Sequence, residues 1–310
     1  MGSFLVCYAG DNQMRQFPFY WIDAFASKKL SGNPCAVILD ADLLSANEMQ
    51  AVAKEMNLSE TAFVVSPKNA DFAARYFTPD EELPFAGHPT IATIHALQQA
   101  GLIQKSKQTQ KVSLELPAGA ISVEIQSISE DSSRVEMKQL APQFMRTYKP
   151  HEVLPIFGLS ESDLLPRAVI QTVSTGSPIL MVPLKNLEVL KRTKYVDVKG
   201  YEELKAHGDF LWPHHFTLKG ITKEATTFAR SLATPPSTLE DPFTGSATGC
   251  MAAYLWKYGF IPSPSFLAQQ GHWLGRPGQA EVRVLGSPES IDGVLVAGAA
   301  ETIVIGKLKF

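Results

Sequence analysis

Residues 82–103 read ELPFAGHPTIATIHALQQAGLI, and residues 240–261 read EDPFTGSATGCMAAYLWKYGFI. They align without gaps at an offset of 158, with eight identities in 22 positions. Glu82, Pro84, Phe85, Gly87, Thr90, Leu97, Gly101 and Ile103 recur as Glu240, Pro242, Phe243, Gly245, Thr248, Leu255, Gly259 and Ile261. Each copy reads as a Gly-bearing loop, a helix and a Gly stop. Pro89 suits a first helical turn, where its missing N–H costs nothing. Gly101 and Gly259 stand where a left-handed C-terminal stop is expected. The second helix, around GCMAAYLWKYG, is apolar almost all round, which marks a helix buried on every side.

The duplication extends outward. LSGNPCAVIL precedes the first copy and STGSPILMVPL the second, so Gly32 and Pro34 pair with Gly176 and Pro178. Behind the helices, Gly119 and Gly278 each lead an alternating run, ISVEI and VRVLG. Other β-branched or alternating runs are CAVIL, TAFVVS, ILMVPL and TIVIG. In SANEMQAVAKEMN, Ser45 and Glu48 form a capping box ahead of a Met49, Val52, Ala53 and Met56 stripe, leading into a strand that begins near Glu60. The period is about half the chain, unlike a solenoid of short repeats. The predicted fold class is α+β: two pseudo-symmetric lobes, each a curved, mostly antiparallel sheet wrapped around a central helix. The expected lobes are residues 1–133, with about the first sixteen an extension, and 134–310, whose final strand is free to return to the first lobe.

Bulk properties narrow the function. The 310 residues carry 45% apolar residues, 19% charged residues and a net charge of −3, as in an ordinary globular protein. No Lys/Arg cluster is present to track phosphates, so nucleic acid is not an expected partner. The first residues have no basic region before their apolar run, no stretch reaches about 20 apolar residues, and neither a signal peptide nor a membrane span is expected. Three cysteines, Cys7, Cys35 and Cys250, are too scattered for a disulfide framework or zinc site. A cytoplasmic setting is expected. No dinucleotide or P-loop glycine motif and no H-E-x-x-H occurs. Adjacent His214 and His215 face opposite ways in an extended segment. Neither a cofactor nor a metal is expected.

Helix N-termini bind anions through free N–H groups and the helix dipole. Two such starts on one cleft, with Gly87 and Gly245 letting backbone approach a ligand, predict a site for a small carboxylate. Taken singly, Ser246 reads as an N-cap and His88 as a surface cap. Two copies in register favour the binding site.

The stretches DAFASKKLSGNPCAVIL, MNLSETAFV, RYFTPDEELPFAGHPT, DPFTGSATG and QQGHWLGRP resemble the PhzF (phenazine biosynthesis-like) family, in order, from about Trp21 to Phe310. The resemblance implies the diaminopimelate epimerase-like fold, with the active site between lobes, a homodimer, and a cofactor-independent isomerase working by acid/base catalysis on a small carboxylate. It implies catalytic roles for Glu60 of NLSET, His88 of GHPT, and Asp241 and Ser246 of DPFTGSA. Gly87, Gly245, Ser59 and Thr244 become expected substrate-binding residues. Epimerases of this fold use two thiols, one just before each loop glycine; Ala86 and Thr244 stand there, so a two-thiol mechanism is not expected. Cys35 and Cys250 read as core residues. By position alone Glu60 reads as an exposed strand-end residue, Asp241 as a turn former before Pro242, Asp80, Glu81 and Glu82 as a solvated turn, and Arg75 as an ion-pair partner. An epimerase, racemase or lyase on another small acid, and a non-catalytic small-molecule-binding or interaction protein, stand as alternatives.

Overall fold

The computed structural model describes residues 14–128, 133–232 and 240–310. Cys7, nearly all of the expected N-terminal extension and part of the polar run at the expected lobe boundary lie outside the described residues. Among the described residues, strands form one sheet of 16, mixed but mainly antiparallel, and the fold is a sheet-rich α+β arrangement. From strand Gln16–Ala24 the pairing runs through Asn33–Ile38, Thr61–Val65, Phe72–Phe77, Gln110–Leu116, Gly119–Ser127 and Ser133–Gln139 to the long strand Ser290–Lys309. That strand also pairs back onto the first, Gln16 opposite Lys309 and Ala24 opposite Ala300, so this circuit closes on itself. On its other side Ser290–Lys309 pairs with Gly278–Ser287, and the order continues to an edge at Gln143–Tyr148.

The two repeated helices are Gly87–Gln99 and Gly245–Lys257. Gly87 through Gln98 are buried, and in the second helix Gly245 and Ala247 through Leu255 are. The first packs on strands Gln16–Ala24, Asn33–Ile38 and Ser290–Lys309; the second packs on Gly278–Ser287, Ser290–Lys309 and Pro178–Pro183. An all-round apolar sequence is what such a site demands.

The shared residues have shared work. The Thr90 and Thr248 hydroxyls donate to the carbonyls of Ala86 and Thr244, at 2.8 and 2.9 Å, satisfying one carbonyl at each loop–helix junction. Gly101 and Gly259 have φ of 74° and 65°, and each helix ends alike. The Leu102 N–H donates to Leu97 O and the Phe260 N–H to Leu255 O, as the Schellman stop requires. Glu82 and Glu240 each accept a forked pair of hydrogen bonds from an arginine, Arg75 and Arg230. Glu82 is therefore an anchored ion-pair residue rather than part of a solvated turn. The Ser45–Glu48 capping box starts helix Ala46–Met56. Cys35 and Cys250 are fully buried.

Gly249 lies inside the second helix, where alanine ordinarily gains about 1 kcal/mol. Here the Gln139 amide occupies the space: a Cβ on Gly249 would meet its Oε1 at 1.8 Å. Gln139 donates to Gly245 O at 2.9 Å and accepts from Thr175 Oγ1 at 2.6 Å. Gly249→Ala must displace this buried amide, at a cost of about 1–3 kcal/mol for unsatisfied groups. We expect Gly249→Ala to lower the unfolding free energy in urea; a gain would show that helix propensity wins.

Candidate active site

Both loop–helix junctions meet. A Cβ on Gly87 would lie 3.3 Å from Ser246 N and 3.5 Å from Gly245 Cα, so backbone touches backbone between the two helix starts. Beneath them, the rings of Phe25 and Phe243 pack with centroids 4.4 Å apart. A Cβ on Gly245 or Gly298 would strike the Phe25 ring, at 2.7 and 2.4 Å, and one on Gly278 the Phe243 ring at 2.7 Å. These glycines let two aromatic rings sit directly under the junction.

Above it lies a cavity of about 210 Å³ lined by Ser59, Glu60, Gly87, His88, Asp241, Thr244, Gly245 and Ser246, all eight predicted site residues. Its remaining walls include Leu83, Phe85, Ser177, Trp212 and Ser231. Ser59 and Glu60 sit in the turn after helix Ala46–Met56, which Asn57 ends in the left-handed conformation, just before strand Thr61–Val65. His88 is the second residue of its helix and is 4% exposed, so it is no surface cap. Ser246 is the second residue of the other helix; its N-cap position is held by Thr244. Neither Cys35 nor Cys250 lines the cavity.

The polar groups form one network. Glu60 Oε2 lies 3.3 Å from His88 Nδ1, and the Glu60 side chain is 18% exposed. Asp241 accepts from Ser59 Oγ at 3.0 Å and Asn33 Nδ2 at 2.7 Å on Oδ1, and from the Thr244 hydroxyl on Oδ2. Gln270 Nε2 donates to Asp241 O at 2.7 Å and to Thr244 Oγ1 at 3.1 Å, fixing the loop from behind. Burial, followed by the nearby Asp241 carboxylate, holds Glu60 well above the usual carboxyl range. Burial pushes His88 down to about 4, with Asp241 pulling the other way. Both shifts favour the uncharged forms, an acid 3.3 Å from an imidazole nitrogen. His88 Nε2 is buried with no hydrogen-bond partner among the described residues. This arrangement can move a proton, and the adjoining helix N-termini can hold an anion.

Sequence reasoning passed over Asn33, Gln270, Ser177 and Ser231. One signal pointed to two of them: Asn33 and Ser177 are the central residues of the duplicated Gly-x-Pro turn. Ser231 is braced by buried His214, whose Nδ1 is 2.8 Å from Ser231 Oγ; no sequence signal joins that pair. His215, next to it, packs its ring on Phe157 instead.

The family described as phenazine biosynthesis-like protein (PhzC-PhzF) matches residues 22–306. The chain belongs to this family. It is 33% identical over 266 residues to a Bacillus subtilis (strain 168) protein named uncharacterized isomerase YfhB, covering 84% of this chain and 88% of the relative. It is 32% identical over 284 residues to the trans-2,3-dihydro-3-hydroxyanthranilate isomerase of Pseudomonas chlororaphis, covering 91% and 95% of the two chains. The crystal structure of the Bacillus anthracis phenazine biosynthesis protein, PhzF family, superposes with a TM-score of 0.83 at 30% identity, over 95% of this chain and 99% of that one. This PhzF-family chain is an enzyme of an isomerase family. No helix among the described residues is long and apolar enough to cross a membrane.

The raised Glu60 has a stability signature. A carboxyl whose pKa is higher folded than unfolded stabilises the fold below its unfolded value, about 4.3, and that stability is lost as pH rises through the folded value. Glu60→Gln escapes this loss. Urea unfolding across pH should show the variant gaining on wild type from about pH 4.3 upward. Parallel profiles would contradict a raised Glu60.

Proposed function

We propose that this PhzF-family chain is a cofactor-independent isomerase that moves a proton within a small carboxylate substrate. In this reading its two halves act as pseudo-symmetric lobes around the cleft. The observation that carries the proposal is the half-buried Glu60 against buried His88, opening onto a cavity where two glycine-led helices begin. Shifting a hydrogen along a conjugated acid needs one group that delivers a proton to one carbon and takes one from another. A single carboxyl, alternating between acid and carboxylate, covers both half-steps when they occur on one face. Desolvation brings Glu60 toward the working pH, where both forms are accessible.

The other residues follow from their contacts. Ser246 and the free amides at the two helix starts hold the substrate carboxylate and stabilise charge developing beside it. His88 offers its free ring nitrogen to a substrate hydroxyl or amine. Asp241, braced by Ser59 and Thr244, keeps the field that raises Glu60 and draws any positive substrate group toward it. Ala86 and Thr244 leave no thiol pair beside the glycines, which favours a shift over stereoinversion by two bases. The family likeness supports a homodimer, which light scattering would read.

The test is proton exchange in heavy water, followed by NMR. The panel is trans-2,3-dihydro-3-hydroxyanthranilate with small conjugated and amino acids, and the Glu60→Gln protein runs beside wild type. Exchange or isomerisation by wild type, reduced by about 10²-fold or more in Glu60→Gln, is the expected outcome. Exchange that survives in Glu60→Gln would move the acid/base role to another group.

A further inference from the structure

Asn33 places its amide nitrogen within reach of three groups, and its two hydrogens go to the two nearer oxygens. Its Nδ2 lies 2.7 Å from Asp241 Oδ1, 2.9 Å from Phe243 O and 3.2 Å from His88 Nδ1. Its amide orientation is set by chemistry. The flipped amide would put Oδ1 against the Asp241 and Phe243 oxygens, two acceptors that cannot donate to it. The observed orientation leaves Oδ1 buried without a partner among the described residues, the lesser cost beside two opposed oxygens. Asn33 therefore presents an N–H₂ group to His88, and such a group can only donate.

That fact decides where the histidine carries its hydrogen. Nδ1 lies 3.2 Å from Asn33 Nδ2 and 3.3 Å from Glu60 Oε2, and the ring also meets the Pro34 backbone. A hydrogen on Nδ1 would be set beside the hydrogens of Asn33. With Nδ1 bare, its lone pair faces the positive end of the amide. We propose that Asn33 is a positioning residue that fixes His88 in the Nε2–H tautomer. The ring nitrogen without a protein partner then becomes a donor for substrate, so the substrate presents an oxygen or other acceptor there. Asn33 holds Asp241 and the Phe243 carbonyl with the same amide, and so ties the histidine's tautomer to the position of the opposing loop. The two halves are linked at the proton itself. This inference deepens the proposed reading of the same site.

The tautomer is readable without substrate, by ¹⁵N–¹H correlation spectra of the histidine-labelled full chain at neutral pH. His88 is assigned by its loss in His88→Gln. Wild type should show Nε2 at the protonated position and Nδ1 at the unprotonated one. Asn33→Ala removes the donor, and the two ring resonances should move toward each other as the Nδ1–H form gains population. Asn33→Asp replaces the donor with an acceptor and should shift them further the same way, so either folded variant suffices. If neither variant folds, the wild-type spectrum decides. Nδ1–H in wild type, or a folded variant with unmoved ring shifts, overturns the proposal. A protein with the expected tautomer but no proton exchange in any compound would count against the proposed function alone.

Discussion

Two helix N-termini meet here with only glycine between them, and the rest of the site depends on that contact. At Gly87 a side chain would crowd the facing backbone, 3.3 Å from Ser246 N, and at Gly245 one would strike the Phe25 ring at 2.7 Å. With the backbones in contact, two partial positive charges face one small volume. His88 and Ser246, each one residue into its helix, are carried to that volume together. Phe25 and Phe243 support the junction from below, and neither ring fits unless Gly245, Gly298 and Gly278 lack side chains. The chemistry of the cavity is thus set by the absence of side chains as much as by their presence.

The second constraint is electrostatic. Glu60 and Asp241 share a poorly solvated pocket with one imidazole, and two full negative charges there are costly. The structure resolves the conflict unequally. Asp241 collects hydrogen bonds from Ser59, Asn33 and Thr244, whereas Glu60 lies against His88. Burial, with the Asp241 carboxylate nearby, holds the second above the usual carboxyl range. Two carboxyls a short distance apart acquire different duties from their surroundings, without any difference in their intrinsic chemistry.

Much of this was written in the sequence because duplication leaves the same marks twice. The paired glycines of residues 82–103 and 240–261 located both helix starts and both helix stops, and the apolar circumference of the second helix announced its burial. The repeated Glu82 and Glu240 gave no clue to their role, because their arginines, Arg75 and Arg230, stand at different spacings from them. Asn33 was hidden for another reason. In a Gly-x-Pro turn the outer residues explain the backbone, and the middle one passes for filler until the fold brings Asp241 to it. Gln139, inside the space that Gly249 leaves, and His214, behind Ser231, depend on tertiary packing that no local pattern encodes.

The long strand Ser290–Lys309 has a consequence for the order of events during synthesis. It closes the circuit of strands around helix Gly87–Gln99 by pairing with Gln16–Ala24 and Ser133–Gln139. A nascent chain that has emerged only through its first half therefore exposes two unpaired strand edges and part of a helix that is otherwise buried. Such edges invite wrong pairing. Strands made early must wait, incompletely covered, for a strand made far later, so the circuit cannot close before Ser290–Lys309 has emerged.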